Sequence, residues 1–380
     1  MKILVLTNYF PPYYIGGYEL ACFDTVKFLQ NAGHDVYVLT GEYVEESSKF
    51  ERVYRKLKYI DYQNPSYMNK HEVEQFNFDT TNEVIQKVKP DLVYIWSLRL
   101  VSLSPVWAIE KLNIKKVFEI GDFWMKGFLS NSFMSKLKRT TKQLLPNFKA
   151  VDVKIDPIIS VSKWMINEMK DLYGSKDVFF VPNGTKVSKE KVQKDEKKMK
   201  YMFCGRVDKT KGLDLAIKAL SNLKDRRFRD FEFHVYGDGD KEYIHKCKNL
   251  VAALDLKENV FFHGKVDNLE EAYRKNHVLL MPTRMREPFG LVLIEAMNYG
   301  VVNIATNDYG PSEIIDDEKD GLLFTPNSVD DLTFKILLIH NSWDLLEKYR
   351  QNAYEKVQKK YDINVVKKEV ESILVKLAGA

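Results

Sequence analysis

Residues 277–306 constrain the fold of this chain more than any other stretch. Two short apolar runs, HVLLMPT and VVNIAT, flank the segment RMREPFGLVLIEAMNYG, Arg284–Gly300. Such short apolar runs, bounded by breakers such as Pro282 and Gly300, suit strands buried on both faces. Strand, loop, helix, strand is a βαβ unit, which belongs in a parallel sheet covered by helices. Its loop feeds a helix N-terminus at the carboxyl edge of the sheet, where free N–H groups and the helix dipole favour anions. Glu287 stands in the loop and Glu295 in the helix, with seven residues between them. Glu295 interrupts the apolar run Leu291–Met297. It must find a partner or face a polar cavity, because an unpaired buried carboxylate is costly.

The same alternation runs through the chain. Ile3–Leu6 reads as a buried strand, followed by a loop with Pro11, Pro12, Gly16 and Gly17. A helix from Tyr18 to Ala32 is ended by Gly33, and Val36–Leu39 is the next strand. The glycine loop lacks the G-x-G-x-x-G fingerprint, so a phosphate contact and a tight turn both stay open for Gly16 and Gly17. Residues 41–82 are less regular and rich in tyrosine (Tyr43, Tyr54, Tyr59, Tyr62, Tyr67); short elements are expected there. DLVYIW is a strand, Ser104-Pro105 starts a helix, and KKVFEI is a strand ending at Gly121-Asp122-Phe123-Trp124. DPIISVS follows, with Ser162 as helix cap, then VFFVPNG. Thr185–Lys200 is almost wholly polar and reads as a solvated linker. Beyond it the alternation restarts with KYMFCG, FEFHVY, NVFFHG, HVLLMP and VVNIAT. Ser328 with Asp331 forms a capping-box pattern, and the last helix is Ile363–Ala378. The expected class is α/β, with doubly wound Rossmann-like domains at 1–183 and 201–360. Residues 184–200 link them, and 361–380 form a C-terminal helix.

A second cluster is GRVDKTKGLDLAIKAL, Gly205–Leu220. Arg206 and Lys211 precede Gly212 and a helix N-terminus, a combination suited to a diphosphate. Gly237-Asp238-Gly239-Asp240 contains Asp-x-Asp, a metal-binding pattern elsewhere, but directly after FEFHVY it reads better as a βα turn. No Cys/His group has zinc-like spacing, so no metal is expected. A chain of 380 residues with 45% hydrophobic and 29% charged content has the makings of an ordinary globular protein with two cores. The net charge of +5 comes with no nucleic-acid-binding motif, which argues against nucleic acid as a partner. Three separated cysteines do not make a disulfide framework, and no run reaches transmembrane length.

Glu287, the flanking Pro-Phe-Gly-Leu, Glu295-Ala-Met and the final Gly300 together resemble a known signature. It is that of retaining glycosyltransferases with the GT-B fold, glycosyltransferase family 4 (glycosyl transferases group 1). The resemblance implies two Rossmann-like domains facing a central cleft, with the C-terminal helix, 361–380, crossing back to the first domain. It implies that Glu287 contacts the donor sugar and Glu295 the ribose hydroxyls. The N–H groups after Glu287, at Phe289, Gly290 and Leu291, would take the diphosphate. Arg206 and Lys211 would stabilise the leaving group in place of a metal ion, and Gly16 and Gly17 would lie against the donor phosphates. It implies no cofactor beyond a nucleotide-diphosphate sugar as co-substrate, and a glycan or lipid-linked acceptor in cell-surface glycan assembly. In this family Gly310 and Glu313 would also lie near the donor. The chain departs from the pattern where the family carries a His: Gly121 stands there, with Asp122 after it. Asp122 either takes over part of that role or caps a turn. Two other functions remain: a GT-B sugar-nucleotide epimerase and a catalytically silent nucleotide-sugar-binding protein. The expected location is cytoplasmic, and residues 128–149 mix Leu129, Phe133, Met134 and Leu137 with Lys136, Lys138, Arg139 and Lys142. That stretch is either a helix packed on the N-terminal core or a peripheral contact with an anionic membrane at the inner face of the cell membrane.

Overall fold

A computed structural model describes residues 1–43, 52–62, 67–127, 151–188, 198–225 and 230–379. The stretch 128–149 therefore lies outside the described residues. The chain divides between Val181 and Pro182 into two compact units, and Lys367–Ala380 groups with the first.

In the first unit seven strands form one parallel sheet: β1 (Lys2–Leu6), β2 (Asp35–Gly41), β3 (Val53–Leu57), β4 (Leu92–Ile95), β5 (Lys116–Ile120), β6 (Ile158–Ser160) and β7 (Val178–Phe180). Their order is β3-β2-β1-β4-β5-β6-β7. Ile3–Leu6 and Leu92–Ile95 are fully buried at the sheet centre, as continuous apolar runs in a covered parallel sheet should be. The end of the helix Ile363–Ala378 is tied into this unit. Lys367 donates to Thr25 Oγ1, Glu371 pairs with His34 at 2.9 Å, and Lys115 donates to the Ala378 carbonyl.

The second unit holds β8 (Met199–Cys204), β9 (Phe231–Tyr236), β10 (Val260–Gly264), β11 (Val278–Met281), β12 (Val302–Thr306) and β13 (Gly321–Phe324). They are parallel in the order β10-β9-β8-β11-β12-β13. Tyr201, Phe233, Val235, Leu280 and Ile304 of the sheet pack with Ile217 and Leu220 of the helix Leu213–Asp225 and Ile336 of Val329–His340. Each sheet is doubly wound, and strand order reverses between β1 and β4 in one and between β8 and β11 in the other. Open α/β sheets leave a crevice at the carboxyl ends of the strands at such a reversal.

Local details differ from the sequence reading. The tyrosine-rich stretch runs into a 22-residue helix, Tyr67–Val88, instead of short elements alone. The helix Ser104–Lys111 is preceded by Leu103 at the cap, because the Ser104 hydroxyl is engaged with Ser102. Lys163, not Ser162, precedes Trp164–Tyr173. Ser328 caps its helix, but Asp331 accepts from Thr325 instead of closing the box.

Candidate active site

The loops that follow β8 and β11 flank the second reversal point, and backbone contacts lock them together. Asp208 caps the short turn Lys209–Lys211 by accepting from Thr210 N–H at 2.8 Å. Gly212 then adopts φ +73°, and a Cβ there would stand 2.0 Å from the Pro282 carbonyl oxygen. Glycine is needed for both reasons. Arg284 donates its N–H to the Thr210 carbonyl at 2.7 Å and grips Asp214 through two guanidinium nitrogens at 2.7 and 2.8 Å. Burial raises the Asp214 pKa, but the bonds from Arg284 and Tyr243 outweigh it and hold the carboxyl below its ordinary range.

This frame brings Lys211 and Glu287 together: Lys211 Nζ donates to Glu287 Oε2 at 2.5 Å. Both side chains are mostly buried, 20% and 13% exposed. Arg206 lies on the same loop but is 66% exposed and paired with Asp208, apart from that contact. Burial raises the Asp208 carboxyl pKa, yet the bonds from Thr210 and Arg206 bring it below the usual carboxylate value.

Beyond Glu287 the chain turns sharply. The Glu287 carbonyl accepts from Gly310 N–H at 3.0 Å, and a Cβ on Gly310 would lie 2.4 Å from the Phe289 carbonyl oxygen. Phe289 is buried and meets Tyr361 edge-on at 6.0 Å. Gly290, at φ +103°, opens the helix Leu291–Asn298. The N–H groups of Phe289, Gly290 and Leu291 find no acceptor among the described residues, so this end of the helix offers donors to an anion. Glu295 accepts from the buried Tyr273 hydroxyl at 2.9 Å, which leaves its other oxygen for a further donor. Burial raises the Glu295 pKa, and the Tyr273 bond opposes it only in part.

Asp240 caps the helix Lys241–Ala253 through the N–H groups of Glu242 and Tyr243, so its carboxylate is committed to the turn. Asp308 caps Tyr309–Ile314, the helix that contains Gly310 and Glu313. The sequence reading missed Arg284, Tyr273 and Asp208. Tyr273 and Asp208 are partners of Glu295 and Arg206, which it did single out, and the signal was present for Asp208, a cap-forming residue two before Thr210.

In the first unit, Gly16 precedes the helix Gly17–Asn31 and its N–H donates to Glu19 Oε2 at 2.9 Å. A carboxylate already occupies that helix end. Asp122 accepts from Trp124 N–H at 2.9 Å and pairs with Arg99 at 2.8 Å. It thus serves as a turn cap while half-exposed beside a cavity of about 560 Å³ lined by Tyr62, Lys70, Arg99, Leu100, Phe123 and Trp124. The space over Gly121 is filled by Tyr18, whose ring would lie 2.7 Å from a Cβ at 121 and whose hydroxyl donates to the Glu119 carbonyl. The tyrosines of the irregular stretch are mostly packed: Tyr59 donates to the Asn8 carbonyl and Tyr43 stacks on Tyr13.

Comparison with known proteins bears on the family and the fold. Residues 184–356 match the family model Glycosyl transferases group 1, and residues 15–189 match Glycosyltransferase Family 4. An uncharacterized glycosyltransferase of Methanocaldococcus jannaschii is 26% identical over 93% of each chain. A second from that organism is 29% identical, over 48% of this chain and 45% of its own length. The poly(ribitol-phosphate) alpha-N-acetylglucosaminyltransferase of Staphylococcus aureus is 27% identical over 59% of this chain, which spans only 44% of that protein. Among solved structures, sucrose-phosphate synthase from Thermosynechococcus elongatus is 18% identical with a TM-score of 0.75, covering 99% of this chain and 98% of its own. Anabaena HepE in complex with UDP and glucose is 17% identical with a TM-score of 0.72, covering 99% and 100%. Two adjoining family matches running from residue 15 to residue 356, and a fold shared over nearly the whole chain, identify this protein as a GT-B glycosyltransferase.

Proposed function

We propose that the chain moves a sugar from a nucleotide-diphosphate donor to an acceptor hydroxyl with retention of configuration, without a metal ion, in cell-surface glycan assembly. The observation that carries this reading is the 2.5 Å pair of Lys211 and Glu287 at the reversal point between β8 and β11. A cation held there by a carboxylate can turn to a diphosphate, while the carboxylate accepts from the hydroxyls of the donor sugar. As the bond from the anomeric carbon to the phosphate oxygen breaks, negative charge grows on the diphosphate. Lys211, Arg206 and the N–H groups of Phe289, Gly290 and Leu291 answer it, the electrostatic kind of stabilisation that usually dominates. Glu295, oriented by Tyr273, holds the ribose hydroxyls. The acceptor oxygen bonds to the anomeric carbon on the face the phosphate leaves, and its proton passes to the departing phosphate oxygen. The cavity beside Asp122 in the first unit takes the acceptor.

HepE binds UDP and glucose, which supports a nucleotide-sugar donor, and the S. aureus relative acts on a polymer, which supports a glycan acceptor. The test is a thermal-shift screen of UDP-, GDP- and dTDP-sugars on the wild type and Lys211→Ala. One nucleotide class should raise the melting temperature of the wild type, since a ligand at 100 times its Kd contributes about 2.7 kcal/mol. Lys211→Ala should lose most of that shift. Equal shifts in both proteins would remove Lys211 from the donor site, and binding without any turnover would favour the silent binding protein.

A further inference from the structure

Among the described residues, one face of the second sheet is left partly uncovered at its β9–β10 edge. A doubly wound parallel sheet is ordinarily covered on both faces, and its strands then read as unbroken apolar runs. β9 alternates instead: Phe231, Phe233 and Val235 are buried in the core, while Glu232, His234 and Tyr236 share the opposite face. The connection to β11 brings only the six-residue helix Glu270–Lys275 to that side. Between them lies a cavity of about 330 Å³, within the range of small-ligand pockets, about 300–1,000 Å³. It reaches back to Lys200 and Glu232, the second residues of β8 and β9. From Tyr236 and the loop residues Val266 and Asn268 it runs back to Lys200, four residues or about 13 Å from the carboxyl end of β8, so its inner end lies away from the edge that holds Lys211 and Glu287.

A bulge in the edge strand builds the wall of this cavity. Phe261 pairs with His234 and Phe262 with Val235, but Gly264 stands opposite Tyr236, which leaves His263 as the extra residue. Its ring lies against Tyr236 (4.5 Å, 10°) and His234 (5.2 Å, 27°), and His234 continues the row to Phe261 (5.2 Å, 20°). Glu232 can only accept, so His234 Nε2–H donates to it at 3.2 Å. His234 Nδ1 must then accept from His263 Nε2–H at 3.0 Å, which leaves His263 Nδ1 as an acceptor. Burial lowers the pKa of both imidazoles and favours this neutral arrangement.

The charges that line the cavity form two opposite pairs: Glu232 with Lys200 at 3.8 Å and Glu271 with Lys275 at 2.5 Å. An anionic ligand would confront Glu232 and Glu271, and a cationic one Lys200 and Lys275. Donors and acceptors set side by side along the edges of the stacked rings match the neighbouring hydroxyls of a sugar, which donate and accept at once. We propose that this face is a second saccharide-binding site, which holds a neutral, hydroxyl-rich segment of the glycan away from the transfer centre. The identity of the ligand as glycan rests on the reading of the chain as a transferase acting on saccharides; the site itself does not.

The test titrates the full chain with maltotetraose, chitotetraose and tetragalacturonate by saturation-transfer NMR and calorimetry. The proteins are the wild type, His263→Ala, the double variant Glu271→Gln/Lys275→Gln, and Lys211→Ala. A neutral tetrasaccharide should bind the wild type and Lys211→Ala alike, with affinity reduced about tenfold or more in the two face variants. Nucleotide-sugar thermal shifts should follow the opposite pattern, lost in Lys211→Ala and kept in the face variants, so either reading can fail without the other. Three results would overturn the site: no binding of either neutral saccharide, equal binding by the face variants, or tetragalacturonate bound as well as the neutral chains. A homodimer by light scattering that His263→Ala dissociates would overturn it too, by assigning the face to a second copy.

Discussion

Gly212→Ala and Gly264→Ala form a matched pair that separates backbone strain from loop docking. The two glycines share nearly the same conformation, φ +73° and +72°, in the same unit. A non-glycine residue in the left-handed region costs about 1–2 kcal/mol, so both variants lose that amount. Gly264 has open space around its Cβ position, whereas at Gly212 the Pro282 carbonyl oxygen lies 2.0 Å away. Carbonyl oxygens belong to the backbone and cannot rotate aside, so the β8 and β11 loops must part by about 1 Å. Overpacking of this kind adds about 1–3 kcal/mol. At about 2–4 °C per kcal/mol for a unit of this size, Gly212→Ala should melt several degrees below Gly264→Ala. The same displacement draws Lys211 from Glu287, and about 1 Å of misplacement can cost about a hundredfold in rate. Melting curves and donor consumption at saturating donor measure both effects. Gly264→Ala should keep most of its turnover while Gly212→Ala loses nearly all. Equal melting and equal turnover in the two variants would refute the idea that the glycine contact sets the Lys211–Glu287 geometry.

Other expectations follow from the same contacts. Glu295→Gln should chiefly raise the donor KM, because Glu295 holds the nucleotide in ground and transition states alike. Arg206→Ala should chiefly lower kcat, because it meets charge that grows as the bond breaks; parallel kinetics decide it, and a shared KM effect would sink the assignment. Donor turnover should survive excess EDTA, and a loss restored by magnesium or manganese would contradict the roles given to Arg206 and Lys211. In the first unit, burial pushes the Glu119 carboxyl from 4.5 up to about 7, opposed by the Tyr94 hydrogen bond and Lys367. Its folded value is raised, so folding favours the neutral acid. That contribution is full below about pH 4.5 and is lost as pH rises to about 7, in total about 3 kcal/mol. The stability difference between wild type and Glu119→Gln, from urea titrations at several pH values, should shift by about that amount across this window; a constant difference would show that Glu119 does not titrate there.

The strands were legible because a covered parallel strand is an unbroken apolar run: Ile3–Leu6, DLVYIW and HVLLMP all fall where the structure puts them. The helix Tyr67–Val88 was not, because its buried face carries polar residues. Asn77 and Thr81 are fully buried, and Asn77 bonds to Lys58 and to the Val101 carbonyl, so an apolar period shows only in the last turns, at Val84, Ile85 and Val88. Glu287 and Glu295 stood out as carboxylates beside or within an apolar run. Lys211 stood out as well, but its pairing with Glu287 did not, because the two lie 76 residues apart and meet only through the adjacency of β8 and β11. Caps were misplaced by a residue where a hydroxyl had a nearer partner, as Ser104 has in Ser102. β9 was read as a strand, but the cavity over its Glu232–His234–Tyr236 face follows from the shortness of the helix that crosses there, which no local pattern announces.

The anomeric configuration of the product tests the central claim most directly. The purified chain would be incubated with the α-linked nucleotide sugar selected by the thermal-shift screen and a saccharide acceptor, and the first-formed product followed by proton NMR. An α-linked product, with the nucleoside diphosphate released in equal amount, is the result predicted from transfer on the face the phosphate leaves. A β-linked product would contradict the account, because the acceptor would then have entered from the opposite face and the roles given to Lys211, Arg206 and Glu287 would not describe the reaction.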